Sequence, residues 1–310
     1  IWQFGVCHLN RSYAREDHCA STQFPIKKTK NGHIIPAMWN IQWISETLRK
    51  LQDEGLYRES VTVENRQDAT VTINGKRLVN FCSNDYLALS KHPAVIAAAE
   101  KALTQWGLGS GSAPLLSGHT TLHAELERQI AEFKGHEAAI LFPSGFGANV
   151  GILPALVDEN DTVIIDRLCH ASLVDGARLS KGKLQVVPHN DVDTLEKVLQ
   201  NSADFTARWI VTDALFSMDG DLAPLPVILD LAKHYKAGVV VDDAHGTGVL
   251  GKYGRGLEEE FGHVGQCDLV IGTFSKALGS LGGFAVGKKL LIDYLRNRAR
   301  SYIFSTASPP

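Results

Sequence analysis

Two residues in the second half of the chain stand where a buried strand is expected to end, and each carries a group that is costly there. Asp242 opens Asp242-Asp243-Ala244-His245-Gly246-Thr247-Gly248, directly after the apolar run Gly238-Val239-Val240-Val241. A carboxylate at a buried strand end is expensive unless a cation pairs with it. Lys276 lies in Thr273-Phe274-Ser275-Lys276-Ala277-Leu278-Gly279, after the apolar stretch from Asp268 to Ile271. Its amine, with a free pKa near ~10, must lose a proton before it attacks a carbonyl carbon, and burial favours that loss. For each segment alone, the plain alternatives are an Asp that caps the next turn and a lysine that snorkels to the surface.

Two further segments follow expected strands. Ser144-Gly145-Phe146-Gly147-Ala148-Asn149 separates a strand ending at Phe142 from a helix. Small residues at a helix start leave backbone N–H groups free to hold a phosphate, although an ordinary tight turn has the same composition. In Leu168-Cys169-His170-Ala171-Ser172, His170 also follows a strand. Gly246-Thr247-Gly248-Val249-Leu250-Gly251 matches the G-x-G-x-x-G of a dinucleotide site. Here Asp242 to His245 intervene between strand and glycines, and Lys252-Tyr253-Gly254-Arg255-Gly256 cannot begin an apolar helix. A nicotinamide site is therefore a distant second reading.

The elements that must position these residues show in the periodicity. A first helix carries Ile41, Ile44, Leu48 and Leu51 on one face, with Gly55 as its stop. A hairpin follows, 69–73 and 77–81 around Asn74-Gly75. From residue 92 onward helical and strand patterns alternate; Leu122, Leu126, Ile130 and Phe133 mark a helix closed by Gly135. Short apolar runs recur at 137–142, 162–166, 184–187, 207–213, 238–242, 268–273 and 282–287. Runs so short and apolar suit strands covered on both faces, which predicts an α/β fold with a mainly parallel, seven-stranded sheet between helices. In such sheets ligands gather at the carboxyl ends of the strands. The expected organisation is a leader or upstream segment over 1–37, an N-terminal helix and hairpin over 38–90, and a large domain over 91–310.

Composition narrows the function class. The 310 residues are 44% hydrophobic and 21% charged, enough to bury a substantial core. Thirty-one basic against 34 acidic residues give a formal charge of -3, without the cationic excess that favours nucleic acid or an anionic membrane. No apolar run approaches the ~18 residues of a membrane span. The five cysteines are scattered, and none forms a C-x-x-C pair, so neither a disulfide framework nor a metal site is expected and a reducing cytoplasm fits.

Six segments in order carry a resemblance over residues 38–310. They are Asn80-Phe81-Cys82-Ser83-Asn84-Asp85-Tyr86-Leu87, Ser144-Gly145-Phe146, His170-Ala171-Ser172-Leu173, Phe216-Ser217-Met218-Asp219-Gly220-Asp221, Asp242 to Gly248, and Thr273-Phe274-Ser275-Lys276. The chain resembles the α-oxoamine synthases, which have the fold-type I (aspartate aminotransferase-like) architecture and use pyridoxal 5'-phosphate. The resemblance implies that Lys276 holds the cofactor as an imine and later moves the substrate's α-proton. It implies that Asp242 pairs with the pyridine nitrogen, His245 contacts the ring hydroxyl, His170 stacks on the ring and Ser217 lies beside it. Gly145, Phe146, Thr273 and Ser275 would cradle the phosphate, and Thr306 would reach the phosphate of a neighbouring subunit, making a homodimer. Asn84 would lie near the amino acid's carboxylate. The implied activity is a C-acyltransferase reaction, a decarboxylative condensation of an amino acid with an acyl thioester of coenzyme A or a carrier protein. The string Asp-Asp-Ala-His-Gly-Thr-Gly favours L-alanine with a pimeloyl thioester; glycine with acetyl- or succinyl-CoA and serine with a long acyl-CoA are the rival pairs.

Two departures bear on this. In Gly109-Ser110-Gly111-Ser112-Ala113-Pro114-Leu115-Leu116-Ser117-Gly118, many members of the family carry an arginine around Pro114. The resemblance also implies a small C-terminal domain, with an arginine for the substrate carboxylate, that residues up to Pro310 do not include. A non-catalytic partner subunit that keeps the fold is the alternative of another class, and the retained Lys276, Asp242 and His170 speak against it.

Overall fold

The computed structural model of the chain describes residues 41–65 and 68–310. The expected leader, 1–37, lies outside the described residues. The chain divides into two units, 1–62 and 63–310. In the first, the expected helix forms as α1 (Gln42–Asp53), and Gly55, at φ 67°, supplies the left-handed turn that stops it.

The second unit begins with the hairpin β1 (Thr70–Ile73) and β2 (Lys76–Val79), paired in antiparallel register Thr70↔Val79 to Ile73↔Lys76. Asn74 and Gly75 both have positive φ, 51° and 70°, as a two-residue turn matched to strand twist requires. Two helices follow, α2 (Pro93–Trp106), with Pro at its first position, and α3 (Thr121–Lys134), opened by a Thr120/His123 capping box and closed at Gly135.

Strands and helices then alternate: β3 (Ala138–Phe142), α4 (Gly145–Leu156), β4 (Thr162–Asp166), α5 (Ala171–Leu179), β5 (Lys183–Val187), α6 (Val192–Gln200), β6 (Arg208–Asp213), α7 (Leu225–Tyr235), β7 (Gly238–Asp242), the short α8 (Leu257–Glu260), β8 (Leu269–Thr273) and β9 (Gly283–Gly287). The helices α9 (Lys289–Arg298) and α10 (Arg300–Ile303) complete the described chain. Each of the seven expected strands forms within one residue of its expected limits. They make one sheet in the order β3-β9-β8-β7-β6-β4-β5, with β9 antiparallel to both its neighbours and the other pairings parallel.

Alternation along the strands sorts the core into two layers. Ile164, Ile210, Val239, Val241, Val270 and Val286 pack on one face with Ile130 of α3, Leu195 and Leu199 of α6 and Ile228 of α7. Val163, Ile165, Val211, Val240, Leu269 and Ile271 pack on the other with Ile152 of α4, Leu173 of α5 and Ile292 and Leu295 of α9. Each fully buried aliphatic side chain contributes about 1.5–3 kcal/mol of transfer free energy, so both layers favour the one register that buries them. The parallel arrangement brings Phe142, Asp166, Asp213, Asp242 and Thr273 to the same edge of the sheet, where the chemistry-bearing segments begin.

Candidate active site

At that edge lies a cleft of about 240 Å³, lined among others by Gly145, Phe146, His170, Ser217, Asp242, His245, Thr273, Ser275 and Lys276. Residues from five separate segments, legible one by one in the sequence, thus meet on one surface.

Asp242, the last residue of β7, is 6% exposed. Its Oδ2 accepts from Asn149 Nδ2 at 2.6 Å and its Oδ1 from the backbone of Ala244 at 3.0 Å, which fixes the carboxylate's orientation. Its sequence neighbour Asp243 is taken by the buried Lys134 ammonium at 2.6 Å, which anchors the turn that follows β7. Asn149 gives its second N–H to Ser172 Oγ at 2.8 Å, and Ser172 Oγ lies 2.7 Å from His170 Nδ1. With both Asn149 hydrogens spent, the serine hydroxyl donates onward, so His170 Nδ1 accepts and the ring hydrogen sits on Nε2. His170 is also the N-cap of α5, and its backbone N–H donates to Asp213 at 2.6 Å.

Lys276 follows β8, and its Nζ lies 2.7 Å from His245 Nε2; His245 Nδ1 in turn lies 2.7 Å from Tyr86 Oη. Burial pushes the lysine's pKa down, against the pull of the Asp242 and Asp213 carboxylates. Burial, and next the charge of Lys276, push His245 down to about 4, with Asp242 opposing. Burial raises Tyr86, which keeps its phenol protonated. The phenol has a single hydrogen, shared out between His245 Nδ1 at 2.7 Å and Asn84 Oδ1 at 3.3 Å, and the neutral imidazole of His245 stands beside the lysine amine. The three residues therefore favour Lys276 as a nucleophile or base.

Asp213 ends β6 beside Asp242. Burial, and then the Asp242 carboxylate, raise its pKa to about 8, with the His170 backbone and Lys276 pulling it down. Burial and the neighbouring like charge thus favour the protonated form of Asp213.

The anion-binding part of the cleft is built on α4. Ser144 caps this helix, accepting from Gly147 N–H at 2.9 Å, while the N–H of Ala148 bonds Ser144 O. The N–H groups of Gly145 and Phe146 are left for a ligand, at the positive end of a 12-residue helix. Ser275 Oγ, 2.7 Å from Thr273 Oγ1, adds a hydroxyl, while Thr273 donates its own hydrogen to Gly282 O at 2.8 Å and holds Ser275 in place; a Cβ on Gly145 would stand 3.3 Å from Thr273 Cβ.

Two expected site residues lie elsewhere. Thr306 borders a separate small cavity with Pro114, His119 and Tyr302. Asn84 is outside the cleft lining and reaches it through Tyr86, whose Oη lies 3.3 Å from Asn84 Oδ1. The sequence assigns no role to four participants: Tyr86, Asn149 and Ser172, which stand in the segments quoted from it, and Asp213. Asp213 had a signal, because it ends an apolar strand just as Asp242 does. Among the described residues no group of three or more His, Cys, Asp or Glu is placed to hold a metal ion.

Residues 76–310 match the model of the family described as "Aminotransferase class I and II". The chain is 48% identical over 277 residues to an 8-amino-7-oxononanoate synthase of Fervidobacterium nodosum, spanning 88% of this chain and 70% of that one. It is 48% identical over 267 residues to the enzyme of the same name from Geobacter sulfurreducens, covering 86% and 68%. Among solved structures, a serine palmitoyltransferase of S. paucimobilis with a bound PLP–myriocin aldimine superposes with TM-score 0.82 at 33% identity, over 89% of this chain and 70% of that one. An 8-amino-7-oxononanoate synthase of Francisella tularensis superposes with TM-score 0.64 at 30% identity, over 74% and 64%.

Proposed function

Because the chain belongs to the class I and II aminotransferase family, we propose that it is a pyridoxal-phosphate-dependent C-acyltransferase of biotin synthesis that joins L-alanine to a pimeloyl thioester. In that reaction a bond forms between the amino acid's α-carbon and the thioester carbonyl carbon, the C–S bond breaks to release the thiol, and the amino acid's carboxylate leaves as CO2. The product is 8-amino-7-oxononanoate. The observation that carries the reading is the meeting of Lys276, Asp242, His170 and His245 with an anion cradle in one cleft. The amino acid and acyl chain follow from the names of relatives 44–48% identical to this chain.

The residues present fit the cofactor. Asp242 is a buried carboxylate that forms no salt bridge with a protein cation among the described residues, as a site for a pyridinium nitrogen demands. The free N–H groups of Gly145 and Phe146 and the Ser275 hydroxyl, positioned by Thr273, would hold its phosphate, and Lys276 offers an amine of lowered pKa for its aldehyde. Pyridoxal phosphate, when bound, supplies the electron sink that stabilises negative charge at the amino acid's α-carbon.

The protein's own groups do the rest. Asp242, held by Asn149 and Ala244, keeps its negative charge aimed into the cleft. Lys276, once free as an amine, takes the α-proton of the substrate and returns a proton after CO2 has left. His245 holds Lys276 in line, and Tyr86 holds His245. His170, with its hydrogen fixed on Nε2, turns one donor and a flat ring face toward the bound molecules. Asn84, linked to the cleft through Tyr86, orients the amino acid's carboxylate. The homodimer belongs to the same proposal: Thr306 lies away from the cradle of its own chain and would serve that of its neighbour. No described helix is long and apolar enough to cross a membrane, and we place the enzyme in the cytoplasm.

The test is product analysis with pimeloyl-CoA and L-alanine, glycine or L-serine. The proposal expects CO2 and 8-amino-7-oxononanoate with alanine, at a rate well above those with the other two. A stronger reaction of glycine or serine overturns the substrate assignment and leaves the cofactor chemistry in place.

A further inference from the structure

A second cluster of charged side chains lies at the same sheet edge but outside the cleft. Asp166 ends β4, His189 follows β5, and Asp221 closes the loop after β6. His189 Nδ1 lies 3.1 Å from both Asp166 oxygens, and its Nε2 lies 2.8 Å from Asp221 Oδ2. A neutral imidazole has one N–H and one lone pair, so either tautomer would turn a lone pair on a carboxylate. Only the imidazolium, with two N–H groups, satisfies both partners.

The titratable groups facing the ring are Asp166 from β4 and Asp221 from the loop. Its remaining neighbours are Asn190, whose amide donates to Asp221 Oδ2 at 2.9 Å, and the Phe216 ring, edge-on at 4.4 Å. Burial alone would push the histidine's pKa down; the hydrogen bonds and charges of Asp166 and Asp221 overcome it, and the net direction is upward.

Both carboxylates are tied to segments that line the cleft. Asp166 Oδ1 accepts from Leu168 N–H at 2.7 Å and its carbonyl from Cys169 N–H at 3.1 Å, which shapes the turn delivering His170. The Asp221 carbonyl accepts from Phe216 N–H at 3.0 Å, and Phe216 O from Gly220 N–H at 2.7 Å, closing the loop that presents Ser217. We propose that His189, as an imidazolium between Asp166 and Asp221, is a positioning residue that locks the turn carrying His170 to the loop carrying Ser217. Its effect on cofactor binding rests on the reading of the cleft given above; the lock itself does not.

The pH dependence has a definite sign. The group's folded pKa lies above its unfolded value, so the clamp is complete below the ordinary imidazole range and is lost as pH rises through the raised folded value. The experiment compares the unaltered chain with His189→Gln and Asp221→Asn, first without cofactor by amide hydrogen exchange over 166–171 and 214–222. The clamp predicts protection roughly tenfold higher in the unaltered chain at low pH, the scale of one charge-assisted hydrogen bond, converging with both variants at high pH. Equal protection at every pH, or a difference that does not change with pH, overturns the proposal. Titration with pyridoxal phosphate gives the second readout: the affinity ratio of unaltered chain to variant should fall toward one over the same pH range, and a constant ratio contradicts the lock. If the unaltered chain takes up no cofactor, the reading of the cleft fails, while the exchange comparison still decides the clamp. Asp221, at the exposed side of the cluster, carries the comparison if His189→Gln does not fold.

Discussion

Asp213 and Asp242 are register partners on adjacent strands, so two carboxylates share one rung of the sheet at the floor of the cleft. The protonation of Asp213 has a measurable consequence. A carboxyl raised from 3.8 to about 8 in the folded chain keeps a proton that the unfolded chain releases. Stability without cofactor therefore falls as pH rises through that window, because the unfolded state binds fewer protons. Asp213→Asn should flatten this fall, read as the urea midpoint between about pH 4 and 8; an unchanged slope would contradict a raised pKa at Asp213. Asp242 has the opposite task, to stay charged toward a cationic ligand. Its replacement by Ala should cost about 3–5 kcal/mol of that pairing, seen as a loss of at least about a hundredfold in kcat/KM. At this scale the sequence was most informative, since Asp242, Lys276 and His170 are visible as polar groups after apolar runs, and the resemblance adds His245. Tyr86 was not, because its partner His245 lies 159 residues away and only the folded chain joins them.

At the scale of elements, the site depends on two turns where an added side chain meets close neighbours. Gly145 begins α4 at the cradle, and a Cβ there would stand 3.3 Å from Thr273 Cβ, so a larger side chain would press on Thr273 beside the two free N–H groups. Gly145→Val should weaken binding of pyridoxal phosphate by more than about tenfold, while binding of unphosphorylated pyridoxal changes little, since the helix terminus acts on the phosphate. Equal losses for both would place the phosphate elsewhere. Gly279, three residues past Lys276, has φ 66°, and a Cβ on it would collide with the backbone of Leu89 and Ser90. Gly279→Ala should lower stability by about 2 kcal/mol or more, from left-handed strain plus that collision, measured as the denaturant midpoint of the cofactor-free chain. The strands and the hairpin were legible because their signals are local: short apolar runs, and Asn-Gly between alternating residues. The role of Asn149 was not, because a buried amide inside an apolar helix acquires its meaning only when Ser172 and Asp242 are brought to it by other elements.

For the whole molecule, the sheet order explains why one edge carries the chemistry. Parallel pairing across β8, β7, β6 and β4 aligns their carboxyl ends, and antiparallel β9 returns the chain between β3 and β8. The apolar runs predicted a mainly parallel sheet, but not the insertion of β9 between β3 and β8, since strand order is fixed by packing between distant segments. Thr306 is the residue whose expected role needs more than one chain. In this chain it borders a cavity with His119 and Tyr302, apart from the cradle. All of these roles converge on the lysine at the end of β8. The most direct measurement is the visible absorbance of the purified chain mixed with pyridoxal phosphate, before and after L-alanine, for the unaltered protein and for Lys276→Ala. The unaltered chain should show a yellow lysine-bound form that changes on adding alanine and is missing from the variant. The same absorbance in Lys276→Ala, with the same response, would contradict the assignment of Lys276 as the cofactor's anchor.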